Sequence, residues 1–225
     1  MPVFGLTGDL ASGKSTALKF FKKKGAVIFD ADKLVHEYYE KRKSKVYEKI
    51  ASVFPETFRR KTIDRKILGK IVFSNRKKLK ILEKIVHKEV IADLKKWIKT
   101  AKKSKKICVA EVQLLFEKRL EKLFDGTILI YTPRSILIKR IKNNLGLSRR
   151  NAMARLKLYK PVTKKIKGAD FIINNNSNTK ALKNEINALW DKLTQPFQNK
   201  VCLSVKHRKA AAKILLEKYF KKRLG

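Results

Sequence analysis

A chain of 225 residues, 44% of them hydrophobic, is long enough to bury one ordinary α/β core, and its sequence holds no run of eighteen apolar residues that would make a membrane span. Fifty-seven Lys and Arg against nineteen Asp and Glu give a formal net charge of +38. That charge admits nucleic acid, acidic membrane or polyanionic small molecules, yet the lysines are strewn along the whole chain, so charge alone selects no partner. Cys108 and Cys202 are too few for a disulfide framework or a metal cluster, and a reducing cytoplasm is the expected compartment. Met1–Gly5 leads straight into an apolar stretch with no basic n-region, which reads as no secretory signal.

The first strand is expected over Val3–Thr7, followed by Gly8-Asp9-Leu10-Ala11-Ser12-Gly13-Lys14-Ser15-Thr16 and a helix from Ser15 to about Lys24. This is G-x-x-x-x-G-K-[ST] in its strand–loop–helix setting. Glycines let the backbone curl until several N–H groups share one concavity, and the following helix adds its positive end, so a phosphate chain can lie there. Lys14 would reach the outer phosphates and the Ser15 hydroxyl would ligate Mg²⁺. Gly25 should close the helix from the C′ position. Ala26–Asp30 reads as a second strand with Asp30 and Asp32 at its carboxyl end, the edge at which open parallel sheets bind ligands.

From Asp32 to about Lys103 the pattern is helical throughout, with helices over Lys33–Lys41, Lys45–Phe54, Ile63–Phe73 and Arg76–Thr100. Residues 33–103 therefore form a helical insertion suited to binding the phosphate acceptor. Ile107–Val112 and Thr127–Tyr131 are strands three and four. Glu111 stands near the end of the first of these, where P-loop proteins often place an acid that reaches the metal through water. Helices are expected over Arg134–Asn144 and from Ser148, as N-cap, to about Tyr159, then a fifth strand over Ala169–Ile173 and a closing helix over Thr179–Leu193. Strands alternating with helices predict a three-layer α/β/α domain around a five-stranded parallel sheet. Residues 1–193 form this single domain, 134–165 its lid, and 194–225 a basic tail.

Several of these blocks, in order over residues 3–193, resemble the dephospho-CoA kinase family. They are Leu6–Thr16, Gly25–Asp32, Ile63-Asp64-Arg65 with Leu68-Gly69 and Val72-Phe73, Leu82–His87, Leu114–Glu117, the lid positions Arg140, Ser148 and Arg155, and Ala169-Asp170 with Ile173–Asn175. The resemblance implies transfer of a phosphoryl group from ATP, with Mg²⁺, to the ribose 3′-hydroxyl of dephospho-CoA. It implies Asp32 as the catalytic base, Lys14, Arg65 and Arg140 as charge-stabilising catalytic residues, and Arg65 and His87 as contacts to the acceptor. Gly8, Ala11, Ser12, Gly13, Lys14, Ser15, Thr16 and Arg155 would bind ATP, and Ser15 and Glu111 would serve the metal. The sequence departs from the family at Asp9, where glycine is usual, at Lys88 and Gln113 in place of proline, and in the lid at Leu137, Asn144 and Tyr159. Arg149 or Arg150 could supply the charge missing at Asn144.

Competing readings stay open at this stage. Asp32 could simply cap the helix beginning at Lys33, Arg65 could pair with Asp64, and His87 could be a structural residue. Phe29, Phe73 and Trp97 read as core. The whole chain could instead be a nucleoside monophosphate kinase-like enzyme, a basic nucleic-acid-binding NTPase or an inactive nucleotide-binding paralogue. No membrane span and no specific nucleic-acid partner are expected, and the sequence does not fix an oligomeric state.

Overall fold

A computed structural model describes residues 1–41, 44–59, 62–157 and 161–194. The basic tail from residue 195 onward and Tyr159 lie outside the described residues. The chain divides into two compact units, one made of Met1–Ile28 with the described residues from Ala101 onward, the other of Phe29–Thr100.

The first unit is built on a parallel sheet. The strands are β1 (Val3–Gly8), β2 (Val27–Asp30, of which only Val27 and Ile28 belong to this unit), β5 (Cys108–Glu111), β6 (Gly126–Tyr131) and β7 (Phe171–Asn174), in the order β2-β5-β1-β6-β7. β1 lies at the centre, with Val3 opposite Cys108 and Leu6 opposite Glu111 on one side, and Gly8 opposite Ile130 on the other. Every residue of β1 is buried, which explains its unbroken apolar run: a parallel strand covered on both faces shows no alternation. Helices α1 (Lys14–Lys23) and α9 (Thr179–Thr194) pack on one face around Phe4, Leu18, Phe21, Ile173, Ile186 and Leu189. Gly25, at φ 97°, takes the left-handed step after α1, and its N–H donates to Lys22 O at 2.9 Å. At the amino edge of the sheet, Asp125 accepts from Val3 N (2.8 Å), and Asp170 accepts from the backbone N–H and hydroxyl of Thr127 (2.8 and 2.9 Å). Asp170 thus ties strand starts together, at the end of the sheet away from the phosphate loop.

The second unit is almost wholly helical: α2 (Ala31–Glu40), α3 (Lys45–Val53), α4 (Arg65–Ser74) and α5 (Arg76–Ala101). Tyr38, Val46, Ile50, Phe54, Leu68, Val72 and Val86 form its core. Phe29 and Trp97 stack at a tilt with centroids 5.4 Å apart.

Three expectations need correcting. The insertion does contain strands, a small antiparallel pair of β3 (Phe58–Arg59) and β4 (Thr62–Ile63); two residues per strand are too few to show a period. After α6 (Arg134–Leu145), the helix capped by Ser148 is short, α7 (Arg149–Leu156), and a separate α8 (Val162–Gly168) follows. Sequence patterning passes over α8 because only Lys165 and Ile166 on it are buried, which leaves no apolar stripe. Phe73 is not core: it is 65% exposed, lying over Gly69 one turn earlier on α4.

Candidate active site

The phosphate loop is shaped by backbone that few residues could adopt. Gly13 sits at φ 95° and Ala11 at φ 60°. At Gly13 a side chain would also run into the Asn175 amide, and at Gly8 a Cβ would stand 2.5 Å from Ser12 Oγ and 2.7 Å from Ile130 O. Gly13 is therefore demanded by conformation and space together, and Gly8, the last residue of β1, by space. The loop closes on itself as Ser12 N–H donates to Asp9 O at 3.1 Å. The buried Lys14 folds back so that its ammonium donates to the same carbonyl at 3.0 Å.

The loop is braced from behind by residues far away in sequence. Asn175 Nδ2 donates to Ser12 O at 2.7 Å, and Thr132 Oγ1 lies 3.2 Å from Ser12 O and 3.1 Å from Asn175 O. Arg140 on α6 in turn donates to Asn175 Oδ1 (3.4 Å) and Ser177 O (3.1 Å). Arg140 therefore reaches the loop through the residue that braces it. The α1 terminus behind the loop carries no acid in its first turn and has Lys22 and Lys23 in its last, so its positive end is left for an anion. Within that turn Ser15 is exposed and Thr16 half-buried. Ser12 Oγ is buried with no hydrogen-bond partner among the described residues.

Glu111 ends β5 and is only 2% exposed. Its carboxylate and the Ser15 hydroxyl are the hard oxygen donors that suit Mg²⁺. Among the described residues no three His, Cys, Asp or Glu side chains gather into a metal-binding group. Such a sparse donor set fits an ion held largely by phosphates and water. Arg155 is half-buried in the last turn of α7, while Arg149 and Arg150 are exposed at its start. Leu137 is buried at 2% exposure in the α6 interior and Asn144 is exposed, so the first of these lid departures is a packing position.

In the helical unit the cap of α2 is Asp30, whose Oδ1 accepts from Lys33 N at 2.9 Å. The capping alternative for Asp32 is thereby taken by its neighbour. Asp32 lies exposed in the first turn, and no hydrogen bond or ion pair engages its carboxylate among the described residues. Asp64 caps α4, accepting from Lys66 N (2.8 Å) and Ile67 N (3.1 Å), and the Ile67 amide chiefly holds its carboxyl below the usual range. Arg65 is the exposed first residue of α4 and makes no ion pair among the described residues, so it does not pair with Asp64. Ile63, Asp64, Arg65 and Lys66 line an open depression of about 660 Å³. Burial raises the Tyr39 phenol, with the nearby Arg65 charge opposing the shift. His87 is half-buried on α5.

A central parallel strand ending in a left-handed, glycine-shaped loop, with a buried lysine over it and a helix terminus behind, defines a P-loop phosphotransferase. Shikimate kinase from Bacteroides thetaiotaomicron, at 14% identity and a TM-score of 0.52, shares the fold alone over 86% of this chain and 99% of its own. The family model for dephospho-CoA kinase matches residues 2–181. A dephospho-CoA kinase of Carboxydothermus hydrogenoformans is 34% identical over 195 residues, 85% of this chain and 94% of that relative. The structure of dephospho-CoA kinase from Campylobacter jejuni is 30% identical with a TM-score of 0.63, covering 85% of this chain and 97% of its own. The chain belongs to the dephospho-CoA kinase family, and it is an ATP-dependent kinase acting on dephospho-CoA.

The sequence had not singled out Asn175 as a loop brace, nor Thr132 or Lys165 in any role. Asn175 could have been suspected from its place in the last family-like block. Thr132 follows an apolar strand and Lys165 is one lysine among many, so neither carried a signal.

Proposed function

We propose that transfer to the ribose 3′-hydroxyl of dephospho-CoA divides between a donor side built on the phosphate loop and an acceptor side carried by the helical unit. Backbone N–H groups of Gly8, Ala11, Ser12, Gly13, Lys14, Ser15 and Thr16 hold the ATP phosphates. Lys14 exchanges the Asp9 carbonyl for β- and γ-phosphate oxygens and stabilises charge there. Ser12 Oγ, buried within the loop, supplies a further donor. Ser15 and, through water, Glu111 would hold Mg²⁺, which would supply charge neutralisation to the ATP phosphates. Arg140 and Arg155 close the 134–165 lid over the donor and exclude water as a competing acceptor.

On the acceptor side, the 33–103 insertion binds dephospho-CoA, with Arg65 and His87 contacting it. Asp32 removes the 3′-hydroxyl proton as that oxygen attacks the γ-phosphorus. The bond from the γ-phosphorus to the bridging oxygen breaks, and its electron pair leaves with ADP. The observation that carries this assignment is the exposed Asp32 carboxylate in the first turn of α2, without a hydrogen bond among the described residues, beside an Asp30 that already caps the helix. Cytoplasmic residence and an acceptor other than nucleic acid belong to the same proposal.

An acceptor panel tests it. Purified chain with MgATP is offered dephospho-CoA, AMP, CMP or no acceptor, and products are followed by mass. Dephospho-CoA alone should gain a phosphoryl group, and Lys14→Ala should slow the gain roughly 10³-fold. Conversion of AMP or CMP at a comparable rate would refute the acceptor assignment.

A further inference from the structure

Lys165 is a lysine with no exposed side-chain surface, placed on the short helix α8. Its ammonium stands 2.8 Å from Asp9 Oδ1 and 3.2 Å from Glu117 Oε1. Burying an ammonium is costly unless carboxylates satisfy it, and the half-buried Asp9 and Glu117 do so here, so this cluster holds its members in one arrangement. Asp9 is the residue where the family usually has glycine, and it is the second residue of the phosphate loop. Its backbone carbonyl receives both Ser12 N–H and the Lys14 ammonium, while its carboxylate accepts from the Lys165 ammonium. A carboxylate released into the concavity would repel ATP phosphates and compete for Lys14.

We infer that Lys165 is a positioning residue for ATP: it holds the Asp9 carboxylate out of the phosphate concavity and links the loop to the helix that ends the lid, with Glu117 fixing it from the other side. The inference rests on the reading that this loop holds the ATP phosphates, and it adds a residue absent from the loop motif. It also explains how an acid is tolerated at position 9. Lys165 touches no reacting atom.

The two ends of the pair make opposite predictions. In Lys165→Met the stranded Asp9 carboxylate should raise the KM for ATP roughly tenfold or more, with the KM for dephospho-CoA changed less than about twofold. In Asp9→Asn, where Lys165 keeps Glu117, the ATP KM should stay the same or fall. The double variant Lys165→Met/Asp9→Asn should recover most of the lost ATP affinity. MgATP titrations by calorimetry follow the same three variants, with thermal melting alongside. Asp9→Asn alone carries the test if Lys165→Met does not fold, because a purely structural ion pair would weaken ATP binding from either end. Weakening in both single variants, or a double variant no better than Lys165→Met, overturns the inference. Unaltered MgATP binding by Lys14→Ala would instead overturn the reading of the loop itself, whatever Lys165 does.

Discussion

The two units hold their proposed site residues in opposite ways. In the sheet unit, each part of the phosphate loop is fixed: Gly13 by its left-handed backbone, Ser12 O by Asn175 and Thr132, Lys14 by Asp9 O, and Asp9 by the buried Lys165. In the helical unit, Asp32 and Arg65 stand exposed in the first turns of their helices, while their neighbours Asp30 and Asp64 do the capping. The contrast suits the chemistry. A phosphate cradle works by donors already aimed before charge develops, so its ordering cost is met on folding. A base and an acceptor clamp need access to an incoming ligand, so they are carried at rigid helix starts with their side chains left to solvent.

The largest test of this contrast is Lys14→Ala. Removing the one buried ammonium over the loop should lower kcat roughly 10³-fold, read in a coupled ADP-release assay, with the melting temperature little changed. A loss below about tenfold would mean that the loop amides alone carry the charge stabilisation.

Asn175→Ala strikes the brace and leaves the chemistry untouched. It strips Ser12 O of its shortest contact and Arg140 of one acceptor, so both stability and ATP binding should suffer. About 1–3 kcal/mol of stability is expected to go, because a buried carbonyl is left under-satisfied. The ATP KM should rise roughly tenfold as the loop loses its set geometry. An unchanged KM with lowered stability would show that the loop keeps its shape without the brace.

The smallest effect lies inside the helical unit. Tyr38 donates to Asp93 Oδ2 at 2.6 Å, and this bond chiefly holds the Asp93 carboxyl below its usual range, helped by Lys96. A depressed carboxylate contributes stability above its unfolded pKa and loses it as pH falls through the lower folded value. Tyr38→Phe should therefore cost about 1 kcal/mol at neutral pH, kept small because Asp93 is partly solvated. The difference should shrink below about pH 4. Burial and the same bond raise the Tyr38 phenol, so the difference should also shrink as pH climbs past about 10. Urea unfolding of both chains across pH reads this. ATP affinity should not move with it, since Tyr38 and Asp93 touch no residue of the phosphate loop in the bonds described.

How much of this the sequence made legible follows the same division. The loop was plain from Gly8, Gly13, Lys14 and Ser15, because motif, strand and helix lie within a few residues of one another. The sheet was legible because β1, β5 and β6 are buried runs with no alternation. The braces were not, because Asn175 and Thr132 meet Ser12 O only after the sheet brings strand ends together, 163 and 120 residues away. Lys165 was hidden by composition: in a chain of 57 Lys and Arg, a lysine with no exposed side-chain surface looks like the rest. Phe73 misled because apolar spacing shows which residues share a helix face, not whether anything covers that face.

The most direct test of the account is single-turnover transfer by Asp32→Asn. Enzyme in excess over radiolabelled MgATP is mixed with saturating dephospho-CoA, and transfer is followed beside MgATP binding by calorimetry. The division into a preset donor cradle and an exposed acceptor base predicts unchanged ATP affinity and a transfer rate lower by roughly 10²-fold or more. Near-parental transfer would contradict it and remove Asp32 as the base.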